Sequence, residues 1–254
     1  MFISLEGKVA VVTGASRGIG LAIVQQFANS GAKVVASTRQ TSDELESLSQ
    51  SHSVLPVVAD AVTESGAIQV VDNAVKEFGK VDILINNIGA TDPRQGVGFQ
   101  EITDKEWMEM VEVNLMSVVR STRVALPYLT KQGGAIVNIS SMIALMPNPV
   151  IMANSALKAA VTNLSRSLAE EFADKRVRVN TVAPGPTRTA MWDGILPDDP
   201  NEAQSFAKNI GISLGRFTQP DEIAALAVFL ASDWAAMITG ADYIIDGGLV
   251  KTIH

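Results

Sequence analysis

The sequence predicts a doubly wound α/β protein, a parallel seven-stranded sheet of the Rossmann type with helices on both faces. Two observations carry this expectation. Short β-branched runs alternate with longer amphipathic stretches along the whole chain. A glycine-rich turn follows the first of those runs and opens the first amphipathic stretch.

Taken in order, Val9–Val12, Lys33–Ser37, Val54–Val58, Ile83–Ile85, Ala135–Ile139, Arg178–Val182 and Tyr243–Ile245 read as strands. Most are continuous apolar runs, as expected of parallel strands covered on both faces. Between them, Gly18–Ser30, Ser65–Phe78, Asp104–Leu129, Val150–Phe172 and Pro220–Ala231 follow the helical period. No Pro/Gly/Ser-rich linker, low-complexity tract or internal repeat divides the chain, so residues 1–254 are expected to form one domain. From Pro184 to Leu214 the rhythm breaks, with early prolines and mixed polarity. An insertion of this kind suggests a substrate lid at about 190–214; an ordinary crossover with a short surface helix is the plain alternative. The lid stretch has no diagnostic charge pattern that would identify a substrate.

Composition excludes several chemistries. The chain has no cysteine and two histidines, His52 and His254, which lie in a polar stretch and at the last residue. Thiolate nucleophiles, disulfide scaffolds and Cys/His metal sites are therefore not expected. A Ser-His-Asp machine has little to work with. The formal net charge of −7 lacks the positive field that drives nucleic-acid binding. No apolar run approaches the roughly 18 residues of a membrane span. The start, Met1 to Glu6, has no basic region before an apolar core, so a cytoplasmic protein without a signal peptide is expected.

The stretch from Lys8 to Gly20 reads as strand, glycine turn and helix start, with glycines at Gly14, Gly18 and Gly20. Such glycines let backbone approach a pyrophosphate, whose charge the helix N-terminus stabilises. The spacing is G-x-x-x-G-x-G and not the commoner G-x-G-x-x-G. At the end of the second strand the chain has Ser37-Thr38-Arg39, with no carboxylate to accept the ribose hydroxyls of NAD. Arg17 and Arg39 can instead flank a 2′-phosphate, which predicts NADP(H) in preference to NAD(H). Two solvated surface arginines are the alternative.

These residues, with Asn86-Asn87-Ile88-Gly89, the run Asn180–Gly185 and the Asp246-Gly247-Gly248 ending, resemble the short-chain dehydrogenase/reductase family over the whole chain. Arg216 and the segment from Pro220 to Ser232 resemble its 3-oxoacyl-carrier-protein-reductase-like branch. The resemblance implies that Gly14, Ser16, Arg17, Gly18, Ile19 and Gly20 form the phosphate loop. It implies that Asp60, beside Ala61, binds the adenine amino group, and that Asn87 and Gly89 lie along the cofactor ribose. Pro184, Gly185, Thr187 and Thr189 would border the nicotinamide. Asn114 would hold a water in a proton relay, Ser141 would bind the substrate carbonyl, and Lys158 would hold the nicotinamide ribose. A small-molecule carbonyl or alcohol substrate and a homotetramer are also implied.

The pattern breaks at one place. The family acid/base tyrosine lies four residues before the lysine, and here that residue is Asn154. The spacing still puts Asn154 and Lys158 on one helix face. A carboxamide polarises a carbonyl but supplies no proton. Losing a positioned general acid typically costs on the order of 10²–10⁴-fold. Any proton would then come from water relayed through Lys158 and Asn114, or from Ser141. Three readings follow: a reductase that works with asparagine, a protein turned to binding or to non-redox elimination or isomerisation, or an inactivated variant of an ordinary reductase. Retention of Ser141, Lys158 and Asn114 favours a recent or functional change over long decay, and so the reductase class, without separating the first reading from the third.

Other features have plainer expectations. Tyr128 and Tyr243 are expected to pack. Met108 and Met110 are expected in the core, and Met142, Met146 and Met152 near a pocket. Glu170-Glu171 and Asp198-Asp199 are expected to be solvated. Ile88 and Thr187 depart from the residues usual in the family, and Trp192 would close over a substrate or anchor its loop.

Overall fold

A computed structural model describes residues 3–251; His254 and the first two residues of the N-terminal stretch lie outside them. Seven parallel strands form one sheet in the order β3-β2-β1-β4-β5-β6-β7. They are β1 (Val9–Val12), β2 (Lys33–Thr38), β3 (Val54–Val58), β4 (Ile83–Asn86), β5 (Gly134–Ile139), β6 (Val177–Pro184) and β7 (Asp242–Ile245). The helices are α1 (Gly18–Asn29), α2 (Asp43–Ser51), α3 (Glu64–Phe78), α4 (Asp104–Val111), α5 (Ser117–Gln132), α6 (Met152–Glu171), α7 (Pro200–Asn209) and α8 (Pro220–Ala231).

Strand alternation builds two cores. Ala10, Val12, Val34, Ala36, Ile83, Ile85 and Val137 face α1 and α8, where Phe27, Ile23, Ile223 and Leu230 are buried. Val11, Val35, Leu84, Ile136 and Val179 face the other way, against Val70, Val71, Ala125 and Leu129 of α3 and α5. Both sheet faces are covered, which is why the strands read as unbroken apolar runs. The strand order reverses between β1 and β4, and the crevice at the carboxyl ends of these strands is where such sheets bind ligands.

Three sequence expectations are corrected. The long helix expected over Asp104–Leu129 is two helices joined by a wider turn of π geometry at Glu112–Met116. The extra residue re-aims the buried Asn114, whose Oδ1 accepts from the Ala90 N–H at 3.0 Å while Nδ2 donates to the Met110 carbonyl at 3.2 Å. A helix at Asp43–Ser51 joins the five that the helical period predicts; it buries only Leu45 and is held by the Ser42 cap. Met108 is 56% exposed and not in the core, because it lies on the outer face of α4, while Met110 is buried as expected.

Candidate active site at the carboxyl ends of the strands

The glycine turn between β1 and α1 is shaped by backbone demands. Gly14 and Gly18 have φ of +67° and +57°, a region that disfavours side chains. A Cβ at Gly20 would collide with the Gly14 carbonyl oxygen and lie 2.6 Å from Asn87 Nδ2. Asn87 Nδ2 donates to the carbonyls of Thr13 and Gly14 at 3.2 and 3.0 Å, tying the turn to β4. Ala15 N–H donates to the Ser37 carbonyl at 2.9 Å, tying it to β2. No side chain caps α1, and its first turn has no acidic residue. The open N–H groups and positive dipole end at Gly18, Ile19 and Gly20 therefore suit an anionic pyrophosphate. On this observation the residues fit a dinucleotide.

The other residues expected at the nucleotide surround that turn. Arg17, at the start of α1, and Arg39, just past β2, are exposed and form no ion pair among the described residues. Asp60 is exposed after β3, its Oδ1 accepting the Val62 N–H, with Ala61 buried beside it. Ser16 and Ile19 are half-buried in the turn itself. On the opposite side, Gly185 N–H donates to the Ile245 carbonyl at 2.9 Å, continuing the line of β6 past Pro184. Thr187 Oγ1 donates to the Gly185 carbonyl, and Thr187 bridges to Thr218. Thr189 reaches over the glycine turn: a Cβ at Gly18 would lie 3.3 Å from its Cγ2.

A second candidate corner forms where β5 meets α6. Ser141 caps a 3-10 turn at Met142–Ala144, its Oγ accepting the Ile143 N–H at 3.4 Å. Lys158 is fastened to the end of β5 from both sides: Nζ donates to the Ile139 carbonyl at 2.9 Å, and the Lys158 carbonyl accepts from Ser140 Oγ at 3.1 Å. Burial pushes the Lys158 ammonium down to about 8. Lys158 and Asn114 converge on Gly89, where a Cβ would lie 3.1 Å from Nζ and 3.3 Å from Asn114 Oδ1. Asn154 occupies the helix turn before Lys158, and its buried Oδ1 has no hydrogen-bond partner among the described residues.

Residues that sequence reasoning missed support this corner. Asp92, buried in the loop after β4, accepts the N–H groups of Ala153 and Asn154 at 3.0 and 3.1 Å and so caps α6 from 61 residues away. Asn86 Nδ2 donates to Asn138 Oδ1 at 2.8 Å, and Asn138 Nδ2 to Ser165 Oγ at 2.8 Å, fixing α6 on β4 and β5. Neither signal is local in sequence: an Asp before a proline, and asparagines within apolar strands.

Trp192 anchors its loop, its ring meeting Phe217 edge-on at 4.7 Å. Met142, next to Ser141, packs with Trp192, Leu196 and Phe206 against that same cluster, which joins the segment around α7 to the β5–α6 corner. Met146 is exposed and Met152 half-buried, both on the segment between Ser141 and Lys158. Tyr128 and Tyr243 pack against the two cores, and Glu170, Glu171, Asp198 and Asp199 are exposed, all as expected. Among the described residues there is no group of three or more candidate metal ligands, and no helix is long and apolar enough to cross a membrane.

Fold and site together define a doubly wound α/β protein of the Rossmann type whose crevice suits a dinucleotide. Residues 14–250 match a family model described as enoyl-(acyl carrier protein) reductase. A 3-oxoacyl-[acyl-carrier-protein] reductase of Thermotoga maritima is 38% identical over 252 residues, covering 97% of this chain and 99% of that one. The chain belongs to the short-chain dehydrogenase/reductase family. Solved structures that share 33% identity with it include three with a bound cofactor. An NADPH-bound short-chain oxidoreductase of Pseudomonas aeruginosa, described as containing an atypical catalytic center, has a TM-score of 0.92 over 99% of this chain and 100% of that one. L-sorbose reductase of Gluconobacter frateurii, with NADPH and L-sorbose, has 0.90 over all of both chains. A 3-ketoacyl-(acyl-carrier-protein) reductase of Brucella melitensis, with NADH, has 0.87 over 97% of this chain and 99% of that one.

Proposed function

We propose that the chain is an NADP(H)-dependent oxidoreductase that reduces a small-molecule carbonyl, or oxidises the corresponding secondary alcohol, as a homotetramer. The observation that carries this reading is the convergence of Lys158 Nζ and Asn114 Oδ1 on Gly89, beside an uncapped α1 N-terminus. The groups that would hold a nicotinamide nucleotide are kept although residue 154 is not an acid.

When bound, the cofactor supplies hydride. The glycine turn would hold its pyrophosphate, with Asp60 and Ala61 at the adenine end and Asn87, Gly89 and Lys158 along the nicotinamide ribose. Pro184, Gly185, Thr187 and Thr189 would border the nicotinamide. Ser141 orients the substrate oxygen, and Asn154 Nδ2 donates a second hydrogen bond to it. The segment at about 190–214 serves as the substrate lid, hinged on the Thr187–Thr218 bridge.

The preference for NADP rests on Arg17 and Arg39, both exposed and free of carboxylates, at the end of a strand without an acidic residue. A hydrogen bond to a charged group is worth roughly 1.5–3 kcal/mol, so NADPH is expected to bind at least about tenfold tighter than NADH. Calorimetric titration of both cofactors into the unaltered chain and Arg39→Ala checks this. The variant should lose most of the preference and keep its NADH affinity; equal affinities in the unaltered chain would overturn the assignment. Asn154, which does not titrate, also supports a second reading, a nucleotide-dependent binding or non-redox role. A chain that binds NADPH yet turns over no carbonyl or alcohol in a broad panel favours it.

A further inference from the structure

We infer that the substrate of this chain is an uncharged, apolar ketone or secondary alcohol, free of carboxylate, phosphate and sugar-like hydroxyl groups. The inference names a substrate class for the oxidoreductase reading above and rests on it. Three segments meet around Ser141. The first runs from Ser141 itself into α6. The second is the loop after β4, where the Gly96 N–H donates to the Val150 carbonyl at 2.9 Å and Asp92 caps α6. The third is the segment around α7, whose Trp192 and Leu196 pack on the same cluster as Met142.

Charge is absent from the first segment, engaged on the second and mainly acidic on the third. Residues 132–157 contain no charged side chain. In the loop after β4, Asp92 has both oxygens on backbone N–H groups. The Arg94 guanidinium beside it is held by the Glu106 carboxylate and the Glu101 carbonyl. The third segment sets Asp193, Asp198, Asp199 and Glu202 against Arg188 and Lys208. Lys158 is buried and fastened to the Ile139 carbonyl, and on the proposed reading it serves the nicotinamide ribose. A carboxylate or phosphate entering this corner would shed its hydration shell and meet an excess of like charge at the mouth.

Hydroxyl groups find few partners either. On the first segment Asn148 Oδ1 accepts the Val150 N–H, while Ser155 Oγ donates to the Ile151 carbonyl and accepts the Asn148 N–H. Ser141 and Asn154 are the polar side chains left between residues 141 and 157, enough for a single substrate oxygen. What the segments present instead is apolar. Met146 and Val150 on the first and Met191 and Ile195 on the third are exposed, although Trp192 and Leu196 beside them turn inward. Methionine adapts to irregular apolar shapes, and a hydrocarbon that covers these side chains removes them from water.

The test is calorimetry on the full chain with NADP⁺, a dead-end complex in which a ketone binds but receives no hydride, so the readout does not depend on turnover. The titrants are methyl ketones from 2-butanone to 2-octanone, 4-oxopentanoate, its methyl ester, and L-sorbose. Affinity should rise about threefold with each methylene along the ketones. The ester should bind at least about tenfold more tightly than the carboxylate. L-sorbose should give no binding heat at concentrations where 2-octanone saturates. Met146→Arg, which adds a cation at an exposed position, should weaken 2-octanone more than 2-butanone and tighten 4-oxopentanoate several-fold. A flat ketone series, a carboxylate bound as tightly as its ester, or an unchanged order of ligands in Met146→Arg would overturn the inference. Loss of such carboxylate affinity in Arg188→Ala would reassign the site to an anion held by Arg188. Failure of NADP⁺ to bind at all would instead overturn the oxidoreductase reading.

Discussion

The glycine turn at β1–α1 and the corner at β5–α6 face each other across one crevice, yet they are specified differently. The turn is a property of backbone. Gly14, Gly18 and Gly20 are required by φ and by close approach, and the groups left open are main-chain N–H groups at an uncapped helix start. The corner is a property of side chains, where one residue decides the chemistry. Its frame is intact: Ser141 is on its turn, Lys158 is fastened to β5, and Asn114 is aimed by the π turn. On the proposed reading, only the residue at the acid position, Asn154, departs from the family pattern. A backbone-built site tolerates no substitution at its key positions, whereas a side-chain site can lose its acid and keep its shape.

The comparison is broken most severely by filling the turn. Gly20→Ala would drive a Cβ into the Gly14 carbonyl oxygen and against Asn87. NADPH affinity should fall by more than about 10²-fold, with a loss of roughly 1–3 kcal/mol in stability from the overpacked contact. Calorimetry and thermal unfolding measure the two.

A smaller effect, opposite in sign, is expected in the corner. The folded Lys158 pKa, about 8, lies below its ordinary value of 10.5, so burying the ammonium costs stability. That cost is full below pH 8 and vanishes as pH rises to 10.5. The shift corresponds to about 3 kcal/mol, and stranding the Ile139 carbonyl takes back about 1. Lys158→Met should therefore stabilise the chain by about 2 kcal/mol at neutral pH, with the gain shrinking above pH 8 in denaturant titrations. The smallest effect expected is at Asp92→Asn, where one of two α6 N–H groups loses its acceptor. Stability should drop by about 1–2 kcal/mol, with NADPH affinity unchanged.

Most of this architecture was legible in the sequence because both sheet faces are covered, leaving β1 and the centres of β2, β4 and β5 as apolar runs. The glycine turn was legible for the same reason that it resists substitution: its residue types are fixed by the backbone. The π turn at Glu112–Met116 was not, since nothing in Glu-Val-Asn-Leu-Met departs from helical patterning and the geometry depends on Asn114 reaching Ala90. Asp92 was invisible because its partners are 61 and 62 residues away. Helix α2, with Leu45 its only buried residue, carries too little apolar signal to register. Met108 and Met110 differ by two positions in a helix, and composition alone did not tell the outer face from the inner one.

The central claim is that cofactor binding and proton supply are separable in this chain, and Asn154→Tyr tests it most directly. NADPH affinity and ethyl acetoacetate reduction would be measured side by side in the variant and the unaltered chain. The account predicts an affinity unchanged within a few-fold and a rate raised by about 10²-fold or more, as a positioned acid is added to an intact frame. A variant whose NADPH affinity collapses, or whose reduction falls below that of the unaltered chain, would contradict it.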